Sequence, residues 1–319
     1  MSGQIQLSFA GELDGAFVYN YVLHIESTST IMPSPAANRS ATMNSLVSDV
    51  PQRLLTICVG VPILWMLWSF PRTRHLFFQG AHVVMCWEWT LLSKMKGVLR
   101  PLFVIASLCL ANLPNEDHFR VALLLSAAIF PFLAGSVDPS VILSSTAGLL
   151  LISYPNRVWL MVSQDFQSTV SLLFTVWNAD TGALIAGRLG TLCKTNLPRP
   201  SWLRTISPAK SVEGLLGGLL GGTLTYFFLP WFWAIIPFQG IAPLHEIYTF
   251  WSTSAIHERL KFGLVLSLAA IGGDLWESSL KRAFKVKDSG KLLPGHGGVL
   301  DRFDSSLLAV VVYYYVLSK

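Results

Sequence analysis

A short stretch at the end of an apolar segment carries side chains that could act together on a phosphate. Helical spacing places Asp274, Ser278 and Lys281 on one face, so a carboxylate, a hydroxyl and an ammonium project together. Polar groups inside apolar helices are costly and by default mark a functional path. The alternative is a helix end at a headgroup layer, with Lys281 and Arg282 extending toward water. These four residues alone leave both interpretations open.

The loop that follows, residues 285–304, is rich in glycine, lysine and aspartate. Glycine N–H groups can approach phosphate oxygens, cations neutralise phosphate charge, and carboxylate oxygens bind Mg²⁺. Asp301 and Asp304, three residues apart, are candidates for holding the metal. The GxxxxGK[ST] pattern of a P-loop is absent from this loop. His296 could carry a proton, donate to a phosphate or only pack, and its residue type does not decide between these roles.

A second polar block lies upstream of this loop. Ser207 is a suitable N-cap and Pro208 a suitable first helical residue, which predicts a helix N-terminus that attracts phosphate. Lys210 and Glu213 would lie on its first turn, able to bind a nucleotide phosphate and a metal or base edge, or to pair with each other. Asp180 lies within an apolar run and requires a cationic or metal partner.

The elements that position these residues are apolar helices. Of 319 residues, 52% are hydrophobic and 13% are charged, and the mean hydropathy is +0.52, which favours a polytopic membrane protein over a soluble domain. We predict an all-α integral membrane bundle with about nine transmembrane helices, several of them shorter than a full crossing of roughly 20 residues. The apolar stretches are residues 54–70, 76–92, 101–113, 119–135, 141–153, 167–187, 214–236, 260–278 and 305–317. Within the seventh, small-residue spacing predicts close helix packing at Gly214, Gly217, Gly218, Gly221 and Gly222.

The charge pattern supports this arrangement. Basic clusters at residues 94–100, 188–210 and 281–302 are separated by even numbers of predicted spans, so they fall on one face of the membrane. Arg72 and Arg74 would lie on the opposite face. The net charge of +5 suits loops that face anionic lipid, and no basic and aromatic interleaving indicates nucleic acid.

The polar motifs also resemble those of a known family. Residues 278–304 read S-x-L-K-R-x4-K-D-x-G-x2-L-P-x-H-G-G-V-x-D-R-F-D, which resembles the signature of the phosphatidate cytidylyltransferase (CDP-diacylglycerol synthase) family. Residues 177–190 and 206–214 are also similar to that family, although Leu184 stands where many members carry Tyr. The resemblance is strong over about 177–310, diffuse over about 50–176 and absent before residue 50.

The resemblance implies transfer of a cytidylyl group from CTP to phosphatidate in the bilayer, with Mg²⁺ as cofactor. It implies metal ligands among Asp274, Asp288, Asp301 and Asp304. It implies catalytic roles for Asp288, Asp301, Lys281, Arg282, Lys210 and His296. It implies nucleotide binding by Ser207, Lys210, Glu213 and Arg302.

Residues 1–50 are polar and contain no run long enough to span a membrane, so we expect an extension before a membrane-embedded catalytic domain at 51–319. Such an extension favours an organelle membrane, a plastid in particular, although four acidic residues before residue 50 are unusual in a transit peptide. Endoplasmic reticulum and bacterial inner membrane stay open, as does a homodimer.

Two other functions stay open, and a third is disfavoured. A transporter would explain Asp180 and Asp274 as an ion path, but it would leave the charged loop unexplained. A CTP-dependent lipid or prenol kinase would use a similar body without releasing pyrophosphate. A receptor or scaffold would not need the paired carboxylates.

Overall fold

The computed structural model describes residues 12–13, 16–17, 63, 65–133, 139–195, 197–235, 255–290, 292 and 297–317. Contacts divide the chain into residues 1–62 and 63–319. In the first unit, two short strands, β1 (Glu12–Leu13) and β2 (Ala16–Phe17), pair antiparallel.

In the second unit the described residues form a helical body. Its elements are α1 (Pro71–Leu92), α2 (Leu99–Ala111), α3 (Glu116–Leu133), α4 (Pro139–Gly148), a π-helical turn (Leu149–Ser153), α5 (Tyr154–Val162), α6 (Phe166–Cys193), α7 (Ser201–Ile206), α8 (Val212–Ile235), α9 (Ile256–Ala283) and α10 (Leu300–Leu317). The α6, α8, α9 and α10 helices pack against one another, and α1, α2 and α5 pack together beside them.

The all-helical prediction is confirmed for this body, and the predicted segments from 76–92 onward each coincide with helical structure. The segment 54–70 lies largely outside the described residues. The short helices α5 and α7 were not predicted. The polar residues Asn156 and Arg157 of α5 are buried, and they donate to the carbonyl oxygens of Ile152 and Leu113.

Two of the described helices are long and apolar enough to cross a membrane, residues Phe166–Cys193 and Val212–Phe232. These are α6, which carries Asp180, and most of α8, which begins just after Lys210. The number of crossings in the whole chain stays a prediction.

Arg74, which did not fit the predicted distribution of charge, is a buried structural residue. Its side chain is 1% exposed. The guanidinium donates to the carbonyl oxygens of Trp68, Ser163 and Gln164, the last at 2.8 Å. It therefore joins the start of α1 to the turn after α5, and its charge says little about which side of a membrane the loop faces.

The glycine stripe on α8 allows two neighbouring helices to approach closely. A Cβ added at Gly221 would lie 2.6 Å from the carbonyl oxygen of Asn178 on α6, and one added at Gly217 would lie 2.6 Å from that of Gly182. On the α9 side, a Cβ at Gly222 would meet the Ser267 hydroxyl. The predicted packing role of these glycines is confirmed, and this close contact brings the polar residues of α6 and α9 toward each other.

We expect Gly217→Ala to lower the free energy of unfolding by about 1–3 kcal/mol, since the new methyl group overlaps α6. Gly80→Ala is the matched control, because the Gly80 position in α1 has no heavy atom within 4 Å of an added Cβ. There the better helix propensity of Ala should stabilise the chain by up to about 1 kcal/mol. Thermal unfolding in detergent measures both, and equal melting temperatures for the two variants would contradict the packing account.

Candidate active site

The first polar contact at the helix junction joins Lys210 to Asp274. Lys210 lies in the loop before α8, and its ammonium forms an ion pair with Oδ2 of Asp274 on α9. The Ser278 hydroxyl, one turn along α9, donates to Oδ1 of Asp274 at 3.4 Å. Both partners of the ion pair are about a quarter exposed, so the pair is open to a ligand.

Two more carboxylates, on α6 and α10, meet beside this ion pair. The Ser305 hydroxyl lies 3.2 Å from Oδ1 of Asp180 and 3.4 Å from Oδ1 of Asp304. Asp304 is close enough to Asp274, Glu277 and Asp180 to interact with all three charges. Asp180 in turn interacts with Lys210 and Arg302. We name Asp180, Asp274 and Asp304 the acid cluster.

Lys281 is held in a separate network with Glu277 and Asp301. Its ammonium forms an ion pair with Glu277 and lies 2.8 Å from Oδ1 of Asp301. The Asp301 carboxylate also accepts from the backbone N–H groups of Ser289, at 2.9 Å, and Gly298, at 2.8 Å. Asp301 therefore ties both ends of the charged loop to α9. Asp274, Ser278 and Lys281 were predicted to share one face of this helix. In the structure Asp274 and Ser278 bond to each other in the acid cluster, whereas Lys281 bonds to Glu277 and Asp301.

The hydrogen bonds to Asp301 set its charge. Burial acts to raise the pKa of the Asp301 carboxyl, but the bonds from Lys281, Gly298 and Ser289 outweigh burial and hold that pKa below its ordinary value. The residue is therefore an anion at neutral pH, and its main partners are groups of the protein itself.

Glu88 is a functional candidate that the sequence analysis missed. It lies on α1, is 3% exposed, and accepts from the Ser289 hydroxyl at 3.2 Å, Val299 N–H at 2.9 Å and Leu300 N–H at 2.8 Å. It thus caps the start of α10 and fixes the charged loop. A Cβ at Gly298 would lie 2.6 Å from its Oε2, so the glycine is needed for this approach. The signal for Glu88 in the sequence was its position as a single acidic residue within an apolar segment.

The prediction that a helix begins at Ser207 and Pro208 is wrong. Ser207 follows α7, and the N–H of Lys210 donates to its carbonyl oxygen at 3.1 Å, which makes residues 207–210 a turn. Proline suits the second position of such a turn as well as a first helical turn. The helix α8 begins at Val212, and the Ser211 hydroxyl accepts from Gly214 N–H at 3.1 Å. Lys210 therefore precedes the helix, and Glu213 lies on its first turn.

The remaining predicted site residues are distributed around these groups. Asp288 is exposed in the loop after α9. The Arg282 side chain donates to the carbonyl oxygens of Ile206, at 3.4 Å, and Val286, at 3.3 Å, which links α9 to the turn before Lys210. Arg302 is exposed on the first turn of α10. His296 lies outside the described residues.

The acid cluster fits a divalent cation in its donor chemistry. It offers hard carboxylate oxygens and a hydroxyl, and Mg²⁺ in nucleotide enzymes is commonly held by one or two carboxylates plus substrate phosphates. In the part of the chain that the structure describes, no group of three or more His, Cys, Asp or Glu side chains is arranged to hold a metal unaided. Asp274 and Asp304 would hold the ion.

Comparison with known proteins then gives the family. Residues 51–319 match the Cytidylyltransferase family, a range that contains all the site residues above. The chain belongs to this family.

Three proteins to which the chain is similar share the description phosphatidate cytidylyltransferase. The chain is 30% identical over 218 residues to a phosphatidate cytidylyltransferase of Rickettsia prowazekii, and the alignment covers 67% of this chain and 86% of the relative. It is 31% identical over 223 residues to one of Staphylococcus epidermidis, covering 70% and 69%. A Synechocystis relative of the same description is 40% identical over 154 residues, covering 47% of this chain and 43% of the relative.

We expect Glu88→Ala to lower both the melting temperature and the turnover of this cytidylyltransferase. The substitution leaves one hydroxyl and two N–H donors without their acceptor, at about 1–3 kcal/mol for each buried group. Glu258→Gln, at a half-exposed site next to His257, is the control. Thermal unfolding and initial rates in the same detergent measure the effect. A fully active and stable Glu88→Ala variant would show that the carboxylate does not fix the loop.

Proposed function

We propose that the chain transfers the cytidylyl group of CTP to phosphatidate, which yields CDP-diacylglycerol and pyrophosphate. The observation that carries this proposal is the convergence of the acid cluster with Lys210 between α6, α9 and α10, within the range that matches the family. The description shared by the relatives supplies the two substrates.

The reaction requires no nucleophile from the protein. A phosphate oxygen of phosphatidate attacks the α-phosphorus of CTP in line, the new P–O bond forms, and the bond to the β-phosphate oxygen breaks. The bonding electrons leave with pyrophosphate. Because the lipid phosphate is already anionic at neutral pH, positioning and charge neutralisation carry most of the catalysis.

The residues of this chain divide these tasks. Lys210, Arg282 and Arg302 neutralise phosphate charge from the basic loops around the junction. Asp274 and Asp304 would hold Mg²⁺, and the bound ion would reduce the negative charge of the triphosphate. Lys281 is held by Glu277 and Asp301. We therefore propose that the first role of these three residues is to hold the loop in its conformation, ahead of any contact with the substrate. Asp288 and His296 stay predicted participants.

We also propose that the body is a multi-pass membrane domain, because its lipid substrate lies in a bilayer and α6 and α8 are long and apolar enough to span one. An organelle membrane, a plastid in particular, stays our prediction for its location, and a homodimer stays open. Imaging of the tagged full-length chain in plant cells tests the location, and endoplasmic reticulum labelling would contradict it.

The reaction itself is tested with the purified full chain, phosphatidate, Mg²⁺ and CTP labelled in the cytidine. We expect label in the lipid phase and one pyrophosphate for each lipid labelled. Consumption of CTP without pyrophosphate would identify a kinase and contradict the proposal. Absence of turnover by folded protein would contradict it as well.

The two groups of carboxylates should respond differently to metal. We expect Asp304→Asn to lower kcat by about 100-fold or more and to raise the Mg²⁺ concentration for half-maximal rate, since it removes a proposed ligand. Asp301→Asn should also abolish most turnover, but its residual rate should keep the wild-type metal dependence.

Asp117→Asn, at a side chain that is 85% exposed, is the control for both variants. Rates are measured across a magnesium titration. A shifted metal dependence in Asp301→Asn, or an unshifted one in Asp304→Asn, would reverse the assignment of these two residues.

A further inference from the structure

A polar cavity lies between the second half of α6 and the loop before α8. Its volume is about 370 Å³, and its lining includes Gly187, Gly190, Arg199, Arg204, Ser211 and Glu213. This volume is within the range of small-molecule sites, about 300–1,000 Å³. The reaction proposed above does not by itself assign a role to it.

Glu213 is the fixed acceptor in this cavity. Its Oε1 accepts from the N–H of Leu197 at 2.6 Å. Its side chain lies directly over α6, because a Cβ added at Gly190 would come within 3.0 Å of its Cγ. The carboxylate is therefore held in one place by the loop on one side and by the glycine on the other.

Two arginines supply hydrogen-bond donors to the same cavity. Arg199 donates from Nη1 to the carbonyl oxygen of Pro208 at 3.0 Å. Arg204 donates from Nε and Nη2 to the carbonyl oxygen of Arg199, at 3.1 and 2.9 Å. These bonds fold the loop so that two guanidinium groups and one carboxylate line the same cavity. Such a lining suits a ligand that carries both a donor and acceptors.

Cytosine has this combination, whereas a triphosphate does not. Its 4-amino group is a donor that Glu and Asp side chains accept from, and its ring nitrogen and carbonyl are acceptors for cationic donors. Uracil has a carbonyl oxygen in place of the amino group, and that oxygen would face the Glu213 carboxylate without a proton between them. A triphosphate offers acceptors to the two arginines but no donor to the Glu213 carboxylate.

The cavity also lies at a suitable distance from the reacting phosphorus. Gly187 is seven residues after Asp180 on α6, about 10 Å along the helix. Ser211, which lines the cavity, is adjacent in sequence to Lys210, which pairs with Asp274. A nucleotide with its α-phosphate at the acid cluster can therefore extend its base along α6 into the cavity.

We propose that this cavity binds the cytosine base of CTP and that the Glu213 carboxylate accepts the hydrogen bond from the 4-amino group. The inference rests on the proposed function, and it adds a physical reason why the protein would prefer CTP to UTP. Glu213 is then a specificity-determining residue, and Gly190 is required to let it reach its position.

The test compares CTP with UTP as substrates of the purified full chain, with phosphatidate and Mg²⁺. We expect Glu213→Gln to reduce the ratio of kcat/KM for CTP to that for UTP by about 10- to 100-fold, because an amide can donate to the uracil oxygen. Gly190→Ala should change the ratio in the same direction by displacing Glu213, while Ala maintains α6. The exposed-site variant Glu258→Gln should leave the ratio unchanged.

Competition of each nucleotide with radiolabelled CTP measures binding without turnover. Loss of CTP binding with a gain of UTP binding in Glu213→Gln would support the base cavity. An unchanged ratio, or equal loss of both nucleotides as expected of a phosphate site, would overturn it. Failure of the wild type to form CDP-diacylglycerol while it still binds CTP and loses it in Glu213→Gln would overturn the proposed function and retain the cavity.

Discussion

The ion pair between Lys210 and Asp274 is the contact on which the site depends. It joins a loop to the middle of a long helix, next to the carboxylates of Asp180 and Asp304. Carboxylates this close together between apolar helices repel one another and lose hydration, so the arrangement is stable only with nearby positive charge. Lys210 supplies part of that charge. A metal ion and the cations of the loops would supply the rest when the anionic nucleotide enters.

Close helix packing and loop anchoring make this charge arrangement possible. The glycines of α8 let α6 and α9 approach until their polar residues face a common space. Glu88 and Asp301 then hold the charged loop from two sides, because each accepts backbone N–H groups at the start of α10. The site therefore has two kinds of acid. One kind accepts backbone N–H groups and organises the loop, and the other lies at the partly exposed ion pair of Lys210 and Asp274.

Much of the fold and part of the site could be predicted from the sequence. Apolar runs and glycine spacing are local signals, so they identified most helices and the close packing of α8, but not its partner helices. The residue types that could bind phosphate and metal were identified in the same way. Glu88 gave only the signal of a lone acid in an apolar segment, and its role could not be predicted because its partners are about two hundred residues away and only tertiary packing brings them together. The Ser207 error has a local cause, since Ser-Pro begins turns as well as helices.

We propose that the acid cluster binds CTP together with a divalent cation. Binding of CTP to the purified full chain by titration calorimetry, with and without Mg²⁺, tests it most directly. The account predicts magnesium-dependent binding in the wild type that is lost in a variant combining Asp274→Asn with Asp304→Asn and kept in Asp117→Asn. Equal, magnesium-dependent binding by the wild type and the double variant would contradict it.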